Sequence, residues 1–291
     1  MATILTFDSG LGGLTVYREV ARLRPEARHV YAADDAAFPY GRIPEERLVP
    51  RILDVMDRLI AQYRPDLAVI ACNTASTIAL PHLRERFAIP FVGTVPAIKP
   101  ACAASRSRMI SVLGTEATVK REYTHGLIRE FGQGCTVNLV GTARLAAFAE
   151  AELQGQPAAD ANIAAEIAPC FATAPDGRRT DTVVLACTHY PLLLPRLERL
   201  AVWPVTWLDP APAIARRVDM LLPGLISGPG EPAEAASVPE PPEAVFTSGK
   251  APGATLAAAL AGFGLVRLGT FLPPDEAGPG AEKFDSLALS A

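Results

Sequence analysis

The sequence lacks several features that mark large classes of protein. Its five cysteines include no Cys-x-x-Cys pair, so we expect neither a thiolate zinc site nor a dithiol redox motif. The N-terminal stretch has no basic segment, and its apolar run stops at Asp8, which argues against a signal peptide and a transmembrane helix. We therefore expect a cytoplasmic protein with reduced cysteines.

Positive charge is not in excess either. Lysine and arginine total 27 against 31 aspartate and glutamate residues, so the formal net charge is −4 and the sequence pI is about 5.7. Such a chain lacks the basic footprint of a nucleic-acid-binding protein. The hydrophobic fraction of 49% and the charged fraction of 20% are typical of a globular protein. We therefore expect a small-molecule partner rather than nucleic acid or a membrane.

Short aliphatic and β-branched runs recur along the chain, with amphipathic helical stretches between most of them. The runs lie at residues 4–7, 29–33, 67–71, 90–93, 110–113, 137–140, 182–186 and 205–208. Runs without alternation, joined by helices, indicate parallel strands covered on both faces. A chain of 291 residues suits two domains. We therefore predict a duplicated, three-layer α/β fold with mainly parallel sheets.

The last quarter of the chain is less regular. The segment from about 224 to 243 is rich in Pro, Gly, Ala and Glu, which predicts a long loop. After it we predict a strand at 244–247 and a helix at 254–261. The tail, 273–291, is predicted to be weakly ordered.

Polar residues follow several predicted strands, at the ends where ligands gather in open parallel sheets. These clusters are Asp8-Ser9-Gly10-Leu11-Gly12-Gly13, Asp34-Asp35 with Phe38-Pro39-Tyr40-Gly41, Cys72-Asn73-Thr74, Gly114-Thr115 with Thr118, and Cys187-Thr188-His189. Cys72 and Cys187 each follow an aliphatic strand that ends in alanine. Because a helix N-terminus lowers the pKa of a thiol, we expect a thiolate to form readily at both positions.

Two thiols in matching positions suggest a reaction. If the two halves of the fold face each other, Cys72 and Cys187 approach a ligand from opposite sides. One thiol can then remove a proton from one face of a carbon while the other returns a proton to the opposite face. This predicts a two-base racemase or epimerase. A single cysteine after a strand is more often a buried small hydrophobe, and we keep that interpretation for Cys102, Cys135 and Cys170.

Five blocks in this order resemble the signature blocks of glutamate racemases, in the aspartate/glutamate racemase superfamily. They are Asp8-Ser9-Gly10-Leu11-Gly12-Gly13-Leu14, Pro39-Tyr40-Gly41, Ala71-Cys72-Asn73-Thr74-Ala75-Ser76, Gly93-Thr94-Val95-Pro96-Ala97-Ile98-Lys99-Pro100-Ala101 and Ala186-Cys187-Thr188-His189-Tyr190-Pro191-Leu192. The resemblance implies interconversion of L- and D-glutamate without a cofactor or metal. The D-glutamate would serve peptidoglycan synthesis, and so cell wall biogenesis and cell shape.

The resemblance also implies a domain arrangement and an oligomeric state. Two pseudo-symmetric domains are expected, the first from 1–96 with 208–272 and the second from 97–207. The active site would lie in the cleft between them. Since this family often forms dimers, a homodimer is an expected assembly.

Residue roles follow from the resemblance, position by position. Cys72 would take the α-proton of D-glutamate and Cys187 that of L-glutamate. Asp8 would assist Cys72, while His189 would assist Cys187 and Glu150 would support the second half. The substrate-binding set would be Asp8, Ser9, Pro39, Tyr40, Gly41, Cys72, Asn73, Thr74, Thr115, Thr118, Cys187, Thr188 and His189. Glu152 competes with Glu150, because the family's Leu-Val-Glu reads Phe148-Ala149-Glu150 here.

Other functions remain open at this point. The glycines after the first strand, with Asp34 as a ribose ligand, resemble part of a dinucleotide fingerprint, but Thr15 stands where that fingerprint needs a small residue. A pyridoxal-phosphate racemase would need one of the lysines at 99, 120, 250 or 283. A binding module without turnover is a third alternative. A racemase of aspartate or another amino acid in the same superfamily is a fourth, because one methylene changes discrimination by only about 1 to 3 kcal/mol.

Overall fold

The computed structural model describes residues 1–226 and 240–271. Its strands are β1 (Thr3–Asp8), β2 (Arg28–Ala33), β3 (Leu67–Ile70), β4 (Phe91–Gly93), β5 (Met109–Thr115), β6 (Thr136–Thr142), β7 (Thr182–Ala186), β8 (Thr206–Leu208), β9 (Glu243–Phe246) and β10 (Arg267–Thr270). Its α-helices are α1 (Leu14–Leu23), α2 (Glu45–Tyr63), α3 (Asn73–Arg86), α4 (Ile98–Ala104), α5 (Glu116–Lys120), α6 (Glu122–Phe131), α7 (Leu145–Leu153), α8 (Asp160–Ile167), α9 (Leu194–Leu200), α10 (Ala211–Ile226) and α11 (Ala254–Gly262). Short 3-10 turns lie at Asp35–Ala37, Tyr40–Arg42, Ala168–Cys170 and Tyr190–Leu193.

The first sheet has six parallel strands in the order β10-β9-β2-β1-β3-β4. Side chains alternate between its faces. In β1, Ile4 packs toward α1 and α10, whereas Leu5 and Phe7 pack toward α2 and α3. Because both faces are covered, the strands are apolar along their whole length rather than alternating with polar residues.

Helix α2 shows how the sequence pattern produces this packing. Leu48, Ile52, Val55 and Leu59 recur at helical spacing, and all four are buried in the core beside β1 and β3. Each fully buried aliphatic side chain contributes about 1.5 to 3 kcal/mol. The apolar face predicted from periodicity therefore fixes α2 against the sheet.

The second sheet has four parallel strands in the order β6-β5-β7-β8. Helices α7, α8 and α9 pack on one face through a core that includes Leu113 and Val183. Helices α4 and α6 cover the other face around Ile110 and Val184. The prediction of an α/β fold with parallel sheets between helical layers is confirmed.

The last quarter of the chain differs in part from the sequence prediction. Helix α10 continues to Ile226, so residues 224–226 of the expected loop are helical, and residues 227–239 lie outside the described residues. The predicted strand at 244–247 and helix at 254–261 correspond to β9 and α11. Strand β10 was not predicted, because three of its four residues are exposed and carry no apolar run. The predicted weak order of 273–291 concerns residues outside the described part.

Within residues 1–226 and 240–271, no helix combines the length and apolar character that a membrane crossing requires.

Candidate active site

Cys72 lies where the chain leaves the first sheet and enters a helix. Its backbone is extended, it occupies the N-cap of α3, and its thiol is only 6% exposed. The Sγ atom accepts the Ala75 N–H at 3.5 Å and lies 3.7 Å from the Ser9 hydroxyl oxygen, to which the thiol donates. Cys72 is therefore held by one contact from the turn after β1 and one from the first turn of α3.

The expectation of an acidic Cys72 was wrong for this structure. Burial is the largest influence on Cys72 and raises its pKa, and the negative charge of Asp8 raises it further. The hydrogen bonds that Cys72 makes with Ala75 and Ser9 lower its pKa but do not compensate for burial. Loss of hydration outweighs the effect of the helix N-terminus, so Cys72 is held as a protonated thiol.

Cys187 has a different local environment. It follows β7 but leads into a turn and the 3-10 turn Tyr190–Leu193, so the expected α-helix N-terminus is absent there. Its Sγ lies 3.7 Å from Nδ1 of His189. Nε2 of His189 lies 2.9 Å from Oε1 of Glu150, which also accepts the Leu11 N–H at 2.7 Å. The Glu150 carboxylate, the His189 imidazole and the Cys187 thiol thus form a hydrogen-bonded triad.

The electrostatics of this triad favour a protonated imidazole. Burial alone would lower the pKa of His189. Hydrogen bonds and charges from Cys187 and Glu150 outweigh that effect and raise the pKa well above its ordinary value. In the imidazolium form, Nε2–H donates to Glu150 and Nδ1–H donates to the sulfur. The imidazolium stabilises negative charge that develops on Cys187.

Both thiols line one cavity. Its lining residues are Ser9, Phe38, Pro39, Tyr40, Gly41, Cys72, Asn73, Thr74, Thr115, Thr118, Ala146, Cys187, Thr188 and His189. Of the predicted substrate-binding set, only Asp8 is outside this lining. Phe38 and Ala146 were missed: Phe38 stands beside the Pro39-Tyr40-Gly41 block, whereas no local pattern marks Ala146.

Asp8 lies behind the cavity wall and is fully buried. Its Oδ2 accepts the Gly13 N–H at 2.8 Å, while Oδ1 has no hydrogen-bond partner among the described residues. Burial raises the pKa of Asp8, and the positive charge of His189 and the backbone N–H groups of Gly13 and Ser9 offset this only in part. Asp8 acts on Cys72 through its charge, and the described residues contain no hydrogen bond between the two side chains.

Unpaired polar atoms face the cavity. The side-chain nitrogen and oxygen of Asn73 are both buried without a partner in the described part of the chain. Leaving such a group unsatisfied costs about 1 to 3 kcal/mol. On the opposite side, the hydroxyl oxygens of Thr115 and Thr118 lie 2.9 Å apart. A ligand with both donors and acceptors is suited to this lining.

The structure separates the two candidate acids on α7. Glu150 contacts His189 and the Leu11 N–H in the turn after β1. Glu152 instead accepts a hydrogen bond from Nη1 of Arg196 at 2.7 Å, away from both thiols. Only Glu150 is therefore placed to influence Cys187.

The glycines after β1 allow the two halves to meet closely. A Cβ atom on Gly10 would lie 2.1 Å from Oε1 of Glu150, and one on Gly12 would lie 2.3 Å from Nδ1 of His189. A side chain at either position would have to displace Glu150 or His189. These glycines thus allow close packing against Glu150 and His189. This packing explains the glycine-rich turn without a bound dinucleotide. Thr15, which breaks the dinucleotide pattern, donates to the Thr188 carbonyl at 3.1 Å.

Comparison with known proteins agrees with this geometry. Residues 13–218 match the family model described as Asp/Glu/Hydantoin racemase. The glutamate racemase of Brucella canis is 58% identical over 221 residues, which cover 76% of this chain and 79% of that protein. The glutamate racemase of Agrobacterium fabrum is 52% identical over 263 residues, which cover 90% and 93% of the two chains.

A solved structure extends the likeness to three dimensions. The crystal structure of Escherichia coli glutamate racemase, in complex with L-glutamate and the activator UDP-MurNAc-Ala, matches with a TM-score of 0.83 at 38% identity. The match covers 92% of this chain and 97% of that one. Because the family model spans most of the chain and the relatives share more than half of the aligned residues, this chain belongs to the Asp/Glu/hydantoin racemase family.

Proposed function

We propose that this chain is a glutamate racemase that uses Cys72 and Cys187 as its two acid–base groups and needs no cofactor. The observation that carries the proposal is the position of the thiols: one follows β3 of the first sheet, the other follows β7 of the second, and both line one cavity. The glutamate racemases at 52% and 58% identity support glutamate as the substrate.

The cavity offers separate partners for the charged groups of an amino acid. Asn73 and Thr74 begin α3, where the first N–H groups of the helix favour an anion. The unpaired amide of Asn73 can both accept from an ammonium group and donate to a carboxylate. Thr118 and Thr188 line the side that belongs to the second sheet. These groups fix the substrate so that its α-carbon lies between the sulfurs.

Racemisation then requires one proton transfer at each thiol. In the L-to-D direction, the Cys187 thiolate takes the α-proton, and the Cys72 thiol donates its proton to the opposite face of the carbanion. The enzyme is left with a Cys187 thiol and a Cys72 thiolate. The D-to-L reaction reverses both transfers. Each positioned acid–base group contributes about 10² to 10⁴-fold to the rate.

The surroundings of the thiols support unequal roles. His189, kept protonated by Glu150, stabilises the Cys187 thiolate, while burial keeps Cys72 protonated. This is the form that begins the L-to-D direction. Before the D-to-L reaction, Cys72 must lose its proton, and Asp8, whose pKa burial raises, can accept it.

We infer that the product D-glutamate supplies peptidoglycan synthesis, and that the enzyme therefore serves cell wall biogenesis and cell shape in the cytoplasm. Membership in this racemase family supports that role. A homodimer stays a prediction from the same resemblance, as do the domain boundaries, 1–96 with 208–272 and 97–207. The two sheets, built from 3–93 with 243–270 and from 109–208, support those boundaries.

The proposal is tested with Cys72→Ser and Cys187→Ser, assayed with each enantiomer of glutamate and of aspartate. We expect each variant to lose racemisation by more than about 10³-fold, because a serine hydroxyl is a far weaker acid than a thiol. In heavy water, the wild type should place deuterium at the α-carbon of the product. An enantiomer-resolved assay measures both quantities.

Cys135→Ser is the matched control, because this half-buried thiol lies outside the cavity. It should racemise glutamate like the wild type. Full activity in Cys72→Ser or Cys187→Ser would refute the two-thiol mechanism. Faster turnover of aspartate than of glutamate would refute the proposed substrate.

A further inference from the structure

A buried carboxylate lies just outside the cavity, behind its Tyr40 wall. Asp34 follows β2, is fully buried, and has four hydrogen-bond donors around it. The Tyr40 hydroxyl donates to Oδ2 at 2.5 Å, and the Thr247 hydroxyl donates to Oδ1 at 2.6 Å. Arg51 donates twice, from Nε at 2.7 Å and from Nη2 at 2.6 Å. Both oxygens are therefore saturated by fixed partners.

These bonds decide what Tyr40 can offer a ligand. The side chain of Tyr40 is buried and its ring packs 6.5 Å from that of Phe7. Burial, with the negative charge of Asp34, raises the pKa of Tyr40 well above its ordinary value, so the hydroxyl stays protonated. Its single proton is given to Asp34. Tyr40 thus serves the cavity through its backbone and the position of its ring, and its hydroxyl does not donate to the substrate.

The backbone held by Tyr40 sets one side of the cavity. Tyr40 and Gly41 begin a 3-10 turn, and the N–H groups at such a start have no acceptor within the turn. Across from it, a Cβ atom on Gly41 would lie 3.6 Å from the Thr115 hydroxyl oxygen, which belongs to the second sheet. A shift of this turn by an ångström would therefore change the width of the cavity.

We propose that Asp34 is a positioning residue for the reaction. By accepting the Tyr40 hydroxyl while it is bound to Arg51 and Thr247, it fixes the turn at Tyr40 and Gly41 at the width that the substrate requires. This inference rests on the proposed racemase function. Asp34 does not line the cavity. Its loss should thus weaken binding of both enantiomers and leave proton transfer nearly unchanged.

A double-mutant cycle of Asp34→Asn and Tyr40→Phe tests the inference. Each single variant should raise KM for L- and D-glutamate, by about tenfold for Asp34→Asn, while kcat stays within about threefold of wild type. The double variant should have the KM of Asp34→Asn alone, because Asp34 acts through the Tyr40 hydroxyl. Steady-state kinetics in both directions measure these values.

Asp35→Asn is the matched control, because the neighbouring Asp35 carboxylate binds Ser248 rather than Tyr40. It accepts the Ser248 N–H at 2.8 Å and the Ser248 hydroxyl at 2.5 Å. Its KM should equal that of the wild type. Three results would overturn the inference: a wild-type KM in a folded Asp34→Asn, a fall in kcat without a rise in KM, or single effects that multiply in the double variant.

If Asp34→Asn does not fold, two less disruptive variants at Thr247 test the same inference. Thr247→Val removes one donor to Asp34 without a change in volume, and we expect about a threefold rise in KM, whereas Thr247→Ser keeps the hydroxyl and should restore it. Equal KM values for valine and serine would contradict the inference. Wild-type protein that does not racemise glutamate would refute the proposed function instead, so the two failures are distinct.

Discussion

At the scale of single residues, the two thiols are made unequal by their neighbours. Cys187 has His189 two positions away in sequence, with Sγ 3.7 Å from Nδ1. Cys72 has no basic partner of this kind among the described residues and lies beside a buried carboxylate, Asp8. One fold therefore presents a thiol beside an imidazolium and a thiol that burial keeps protonated to the same cavity.

Glu150→Gln should move the pH dependence of the enzyme. Without the carboxylate, the pKa of His189 falls, and the alkaline limb of kcat/KM for L-glutamate should shift to lower pH. At the wild-type optimum we expect kcat/KM to fall at least about tenfold in both directions. Kinetics across the pH range measure both effects.

The pH dependence of the stability of the fold should also depend on Glu150, through His189. Because folding raises the pKa of His189, protonation stabilises the fold fully below its ordinary pKa of about 6.5, and this contribution disappears as the pH rises through the folded-state pKa. Glu150→Gln should weaken that dependence. Glu152→Gln is the control, since its carboxylate binds Arg196. Unchanged pH profiles for Glu150→Gln, or a shifted one for Glu152→Gln, would contradict this assignment.

At the scale of elements, the turn between β1 and α1 is the feature whose meaning changed most. Its glycines first resembled part of a phosphate-binding loop. In the fold, Gly10 and Gly12 lie so close to Glu150 and His189 that a Cβ atom at either glycine would displace those side chains. Through this turn, the part of the active site that follows the first sheet contacts the part that follows the second sheet.

Gly12→Ala should displace the imidazole. The new Cβ atom would lie 2.3 Å from Nδ1 of His189, so the ring must move away from Cys187. We expect kcat to fall by about 10² or more, because small displacements of catalytic groups have effects of that size. Racemisation kinetics and thermal unfolding measure the change.

Gly126→Ala supplies the comparison for that experiment. Gly126 lies within α6, where the nearest atom to a Cβ would be Nη2 of Arg129 at 3.8 Å. Alanine there should keep full activity and add about 0.5 to 1 kcal/mol of stability. A Gly12→Ala enzyme as active as Gly126→Ala would show that the close contact is unimportant.

At the scale of the whole molecule, the active site is assembled by bonds between the halves of the chain. Leu11 donates to Glu150, Thr15 donates to the Thr188 carbonyl, and Arg121 pairs with Glu45 at 2.7 Å. The first two of these bonds lie next to His189. Correct closure of the two halves is thus coupled to the geometry of the second thiol.

Thr15→Val should loosen that closure. Valine keeps the volume of threonine but removes the hydroxyl that lies 3.0 Å from the Gly12 carbonyl and 3.1 Å from the Thr188 carbonyl, and the loss of this shared donor costs about 1 to 3 kcal/mol. We expect kcat/KM to fall about tenfold in both directions. Thr15→Ser retains the hydroxyl and should stay within about threefold of wild type. Equal kinetics for valine and serine would show that the bond does not contribute to the active form.

Much of this arrangement follows from local sequence. Parallel strands were predicted because their residues are apolar without alternation, and five blocks at their carboxyl ends identified both the family and most of the cavity lining. Strand β10 escaped prediction because it is an exposed edge strand, which needs only pairing with β9 and no apolar run of its own.

The sequence by itself determined most of the strands, the pair of thiols and the family, since these depend on residue type, periodicity and short spacing. Only the tertiary structure decided which groups meet. Glu150 reaches Leu11 across 139 positions, and Thr247 reaches Asp34 across 213. It also decided that Cys72 is protonated, because burial, which depends on every surrounding element, outweighs the local influence of a helix N-terminus.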